Sequence, residues 1–135
     1  MSRFVFAIAL TLPALAASGV AQSKCFKYEP EQVKLEGTIT RRTFPGKPNY
    51  KSIKRGDEAE TYWILRPKRS ICVDASNDEP AERGVRRLQL VFLDGADYKR
   101  YRGLVGRRVN LVGTLFHSNT GHHHTDVLLT VTQIK

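Results

Sequence analysis

Two stretches, VKLEGTIT (residues 33–40) and VNLVGTLF (residues 109–116), decide the fold. In the first, Val33, Leu35, Gly37 and Ile39 alternate with Lys34, Glu36, Thr38 and Thr40. Successive strand side chains point to opposite faces, so a period of two gives one row for a core and one for solvent. The second stretch repeats the pattern with Val109, Leu111, Gly113 and Leu115. Each has a glycine inside the pattern, in the similar strings LEGTI and LVGTL. A glycine there marks a bulge or sharp bend, which a closing barrel needs.

Working outward, the same period predicts strands over Tyr62–Leu65, Ser70–Val73, Val85–Leu93 and Asp126–Ile134. One helix is expected, over about Ala96–Leu104, with Asp94 as its N-cap and Gly103 or Gly106 as its stop. Tyr98, Tyr101 and Val105 share a side at helical spacing. Two long polar segments connect these elements: RRTFPGKPNYKSIKRGDE (residues 41–58) and the stretch His117–Thr125. Strand, long loop, strand, strand, helix, strand, loop, strand is the order of an OB-fold. The expected fold is therefore all-β with one helix: a small five-stranded Greek-key barrel with the helix between strands 3 and 4. The two long loops are those that frame the ligand face of such barrels, and both are expected at one end of the cylinder.

The N-terminus reads as an export signal. Arg3 is followed by an almost wholly apolar run from Phe4 to Ala17, and Gly19-Val20-Ala21 supplies the small residues of a cleavage site. The run is too short to cross the ~30 Å hydrocarbon core as a stable helix. Residues 1–21 are expected to be a signal peptide and residues 22–135 one OB-like domain. The expected setting is the bacterial periplasm or the exterior. In that setting Cys25 and Cys72, the two cysteines, are expected to form a disulfide.

Charge is the second constraint. The chain holds 22 Lys and Arg against 13 Asp and Glu; without Arg3 this becomes 21 against 13, a balance of +8. The surplus points to an anionic envelope polymer or an acidic protein as partner. Nucleic acid is not expected in that compartment. The loop carries Arg41, Arg42, Lys47, Lys51, Lys54 and Arg55 before its first acid, Asp57, with Phe44 and Tyr50 interleaved. Cations beside rings form a stacking and charge platform, so Arg41, Arg42, Tyr50, Lys54 and Arg55 are the candidate ligand-binding residues. The same loop could instead fold over the barrel with Phe44 and Tyr50 as plugs. Of Tyr62 and Trp63, which face opposite ways, one belongs to the core and the other to the ligand face.

All four histidines lie within eight residues: His117, His122, His123 and His124. Residues two apart on a strand are about 6.6 Å apart, so His122 and His124 can converge, with His117 from across the turn. Three such nitrogens suit Zn, Cu or Ni. The competing reading is a polar hairpin whose imidazoles bond to its own backbone. No catalytic residues are expected: Ser118 lacks a nucleophile elbow, no phosphate-cradling glycine loop occurs, and Glu58 and Glu60 read as loop charge.

The strings CFKYEPEQVKLEGT, RRTFPGKPNYKSI, GDEAETYWIL and GTLFHSNTGHHHTDVLLTV resemble a family of exported bacterial domains with no assigned function. The resemblance runs from Cys25 to about Thr132. It implies a bacterial source and an envelope or extracellular setting, and it brings no catalytic residues with it. The expectation is thus a non-enzymatic binding or accessory module without a resident cofactor. Its basic, His-rimmed face would lie between residues 41–58 and 117–125. The alternatives are a transition-metal-binding protein, with Zn or Cu on His117, His122 and His124, and a protein-interaction module such as an envelope-enzyme inhibitor or immunity factor.

Overall fold

The computed structural model describes Gly19 and residues 24–135. The expected signal peptide and its cleavage point lie outside the described residues.

Among the described residues, seven strands and one short α-helix follow in order: β1 Gln32–Pro45, β2 Ala59–Pro67, β3 Ile71–Val73, β4 Glu82–Val85, β5 Leu88–Phe92, α1 Ala96–Arg100, β6 Arg108–His117 and β7 Val127–Ile134. Five of them close into a barrel in the order β1-β2-β5-β7-β6. All pairings are antiparallel except β5 with β7. The helix falls between the third and fourth barrel strands, as expected for an OB-fold.

The inward rows are those read from the alternation. Val33, Leu35 and Ile39 of β1 face Val109, Leu111 and Leu115 of β6, and all six are buried. Gly37 and Gly113 continue these rows where neighbouring strands come too close for a side chain. A Cβ on Gly37 would lie 2.4 Å from the Arg66 carbonyl oxygen, and one on Gly113 only 1.9 Å from that of Thr130. The β6–β7 register also slips between Val112 and Gly113. These are the bend points at which the sheet coils shut.

The helix closes one end. The N-cap is Gly95 and not Asp94, which sits one residue earlier and accepts a hydrogen bond from the Ala96 N–H at 2.9 Å; Tyr98 packs edge-on against Trp63 and Phe92 at 5.4 and 4.8 Å between ring centres. Trp63 is therefore the core member of the Tyr62–Trp63 pair, and Tyr62 lies on the outer face.

Four details differ from the sequence reading. Arg41–Pro45 is not loop; it extends β1 and pairs with Ala59–Trp63, so the connection shrinks to residues 46–58. The expected strand Val85–Leu93 is broken at Arg86-Arg87. Only its first residue, Val85, belongs to β4, which lies outside the barrel and pairs with β3 as a separate two-stranded sheet, so Ser70–Val73 is not a barrel strand either. The helix stops at Arg100 and continues as a 3₁₀ turn over Arg102–Leu104. Finally, the two long loops do not leave the same end. Strand direction reverses from β1 to β2, and β7 runs parallel to β5, which is antiparallel to β2. Gln89 pairs with both Ile64 and Leu128, so β7 starts near Leu65. That is six residues, about 20 Å, along β2 from the β1–β2 turn.

The Cys25–Cys72 disulfide is present, and it ties the segment before β1 to β3. The backbone of Phe26 bridges the same strand: its N–H donates to the Cys72 carbonyl at 2.8 Å and its carbonyl accepts from the Asp74 N–H at 2.9 Å. No helix among the described residues is long and apolar enough to cross a membrane.

Candidate functional site

Although they leave opposite ends, the two loops meet. Residues 118–126 fold back along the outer wall of β2 and β5 and reach the β1–β2 loop. The outward residues beneath them are accordingly buried: Ile64 and Leu128 completely, and Gln89 to 2% exposure. Gln89 anchors the fold-back. Its Nε2 donates to the His122 carbonyl at 3.0 Å, its Oε1 accepts from the His124 N–H at 2.9 Å, and its own N–H donates to the Thr125 hydroxyl at 2.9 Å. The face across strands 2 and 3 that OB-folds commonly present to ligands is thus covered by the chain itself.

Glu60, at the start of β2, gathers the tip of this cover. His122 Nδ1 lies 2.8 Å from Glu60 Oε1 and His124 Nε2 3.4 Å from Oε2, while the Tyr62 hydroxyl donates to Oε2 at 3.1 Å. The His122 bond, with help from His124 and Tyr62, outweighs burial and holds the Glu60 carboxyl below its ordinary range. The His124 ring stacks on Phe44 with 4.4 Å between centres and 2° between planes. The Tyr50 hydroxyl lies 3.3 Å from His122 Nε2, and the Tyr50 ring packs so closely on Gly121 that a Cβ there would sit 3.0 Å from it.

Tyr50 is held in this pose against its backbone preference. Its φ is 55°, a left-handed conformation costly for a bulky side chain. The restraint is Asp57, which is 6% exposed. Its carboxylate accepts the backbone N–H groups of Asn49, Lys51 and Ser52 at 2.9, 2.8 and 2.8 Å, plus the Asn49 side-chain amide at 3.2 Å. Those donors bracket Tyr50. The hydrogen bonds from Ser52 and Lys51 lead in lowering the Asp57 pKa to about 2.

The structure therefore brings together part of the expected set. Tyr50, His122 and His124 meet through Glu60. His117 does not join them: its Nε2 lies 2.9 Å from Glu82 and its Nδ1 3.2 Å from the Ser118 carbonyl, with Glu79 at 3.8 Å. Burial would lower the His117 pKa, but these acceptors on both nitrogens raise it above the usual value. His123 turns the other way. It accepts from the Asn119 N–H at 3.1 Å and packs edge-on against Phe116, and burial, followed by His122 and His124, lowers its pKa. The grouping of His117, His122 and His124 around one ion is thus corrected: opposed carboxylates split the trio. Among the described residues no group of three or more His, Cys, Asp or Glu side chains is placed to hold a metal ion.

The candidate cations remain at the surface. Arg41 lies over the Trp63 ring at 5.9 Å, and Arg42, across from Tyr62, points to the other side of β1. Lys54 and Arg55 are exposed on the 3₁₀ turn of the loop, beside Ile53, which is 45% exposed. Three organising residues, Asp57, Glu60 and Gln89, were not foreseen. The signals were slight: an acid ending a basic run, an acid sharing the face of Tyr62, and a lone amide inside the apolar string LQLVF.

No curated protein matches the chain. Residues 87–135, which hold β5 through β7 and the fold-back loop, match the family model of DUF4431, a domain of unknown function.

Proposed function

We propose that this protein is an exported, non-enzymatic binding module that engages an anionic polymer of the bacterial envelope through the end of β1 and the β1–β2 loop. One observation carries the reading. Arg41, Arg42, Lys47, Lys51, Lys54 and Arg55 form no ion pair among the described residues, while Asp57 and Glu60, two of the three acids that end this segment, are held by internal bonds and only Glu58 stands exposed among them. The loop is folded in advance around Asp57 and propped on His122, so little conformational entropy is lost when a polyanion lands on it. The histidines act as props for the platform, and its cations supply the attraction.

The test is retention on a sulfated-polysaccharide column under a salt gradient. Arg41→Glu with Arg42→Glu is compared with Lys99→Glu plus Arg102→Glu, which changes net charge equally at the helix. The β1 variant is expected to elute at clearly lower salt than the helix variant. Equal shifts for both would mean that only net charge matters and would remove this surface from the proposal.

A further inference from the structure

A second basic feature lies away from the loop. A cleft of about 590 Å³ opens between β1, the β2–β3 turn and the segment before β1. This is within the usual range for small-molecule sites, roughly 300–1,000 Å³. Lys24, Lys34, Lys68 and Arg69 stand around it. Its one acid, Glu36, already faces Lys68 at 3.6 Å and Arg108 at 3.7 Å. The apolar part of the lining is Phe26, Leu35, Pro67 and Ile71, reaching down to a buried core residue at Leu35.

We propose that this cleft binds a small amphiphilic anion: a phosphorylated or sulfonated head on an apolar body. The head is set by the rim, where cations outnumber a single neutralised acid. The body is set by the floor. Exposed cations attract a bare oxyanion only weakly in water, whereas apolar burial supplies affinity in proportion to area. A ligand that uses both parts must have both parts. The disulfide is an element of the site, since Cys72 lines the cleft and Cys25 holds Lys24 and Phe26 against β3.

The experiment is amide chemical-shift titration of the oxidised protein with octyl phosphate, and separately with inorganic phosphate and 1-octanol. Octyl phosphate is expected to shift Lys34–Glu36 and Lys68–Cys72, and to bind at least tenfold more tightly than either fragment. Lys34→Glu with Arg69→Glu should weaken it tenfold or more, as should Phe26→Ala. Arg41→Glu with Arg42→Glu should leave it unchanged, which separates this site from the surface at the end of β1. Equal binding of inorganic phosphate, shifts centred elsewhere, or indifference to both cleft variants would overturn the assignment.

Discussion

Replacing Gln89 with leucine tests whether one buried amide holds the cover on the barrel. The substitution keeps side-chain size and removes two hydrogen bonds, to the His122 carbonyl and from the His124 N–H. Each is worth about 1 kcal/mol net, and each backbone group left facing leucine costs about 1–3 kcal/mol more if water cannot reach it. The added apolar contact offsets part of this, so the expected loss is about 2–4 kcal/mol. For a domain of this size that lowers Tm by roughly 10 °C. The bond between the Gln89 N–H and Thr125 is made by backbone and should survive. Urea unfolding with the disulfide intact, followed through Trp63, gives the global loss; Trp63 is the single tryptophan and is 5% exposed among Phe92 and Tyr98. Hydrogen exchange at the His124 amide gives the local one, and its protection should fall before that of the barrel strands. A loss below about 0.5 kcal/mol, the level of an ordinary surface substitution, together with unchanged His124 protection, would refute the anchoring role.

Three further outcomes follow from the same geometry. Gly113→Ala drives a Cβ into the Thr130 carbonyl, a backbone atom that cannot rotate away, so it should lower stability by at least about 3 kcal/mol or prevent folding; a near-neutral result in urea unfolding would contradict the bend point. Asp57, with its pKa lowered to about 2 from an ordinary 3.8, stabilises the fold above the unfolded value, and that contribution is lost as pH falls through 4 toward 2. Asp57→Asn should therefore be less stable than the parent at pH 7 and converge with it near pH 2, as read from unfolding midpoints at both pH values. Reducing Cys25–Cys72, which closes a separation of 47 residues, should cost about 4 kcal/mol in the chain-entropy account. Urea curves with and without reductant check it, and coincident curves would show that the staple adds nothing.

The barrel was legible because alternation is local: Val33, Leu35 and Ile39, then Val109, Leu111 and Leu115, face inward as their spacing requires. The glycines of LEGTI and LVGTL were legible for the same reason, and Cys25 could pair only with Cys72. Strand ends were less so. Arg41–Pro45 looks like polar loop, yet it pairs with β2 because its partner strand runs on past Trp63. The break at Arg86-Arg87 carries no punctuating residue of its own, although Gly84 takes a positive φ just before it.

The site shows where local reading stops. Composition alone identified a basic loop, a histidine cluster and an even pair of cysteines. Which imidazole meets which carboxylate depends on residues that are distant in sequence, such as Glu60 with His122 and His124, or Glu82 with His117. Those contacts exist only after the chain has closed and residues 118–126 have folded back over Gln89. Side-chain period is a property of neighbours along the backbone and survives without the fold. The company a polar group keeps is fixed by closure, because a buried amide or carboxylate must find its partners wherever the packed chain has put them.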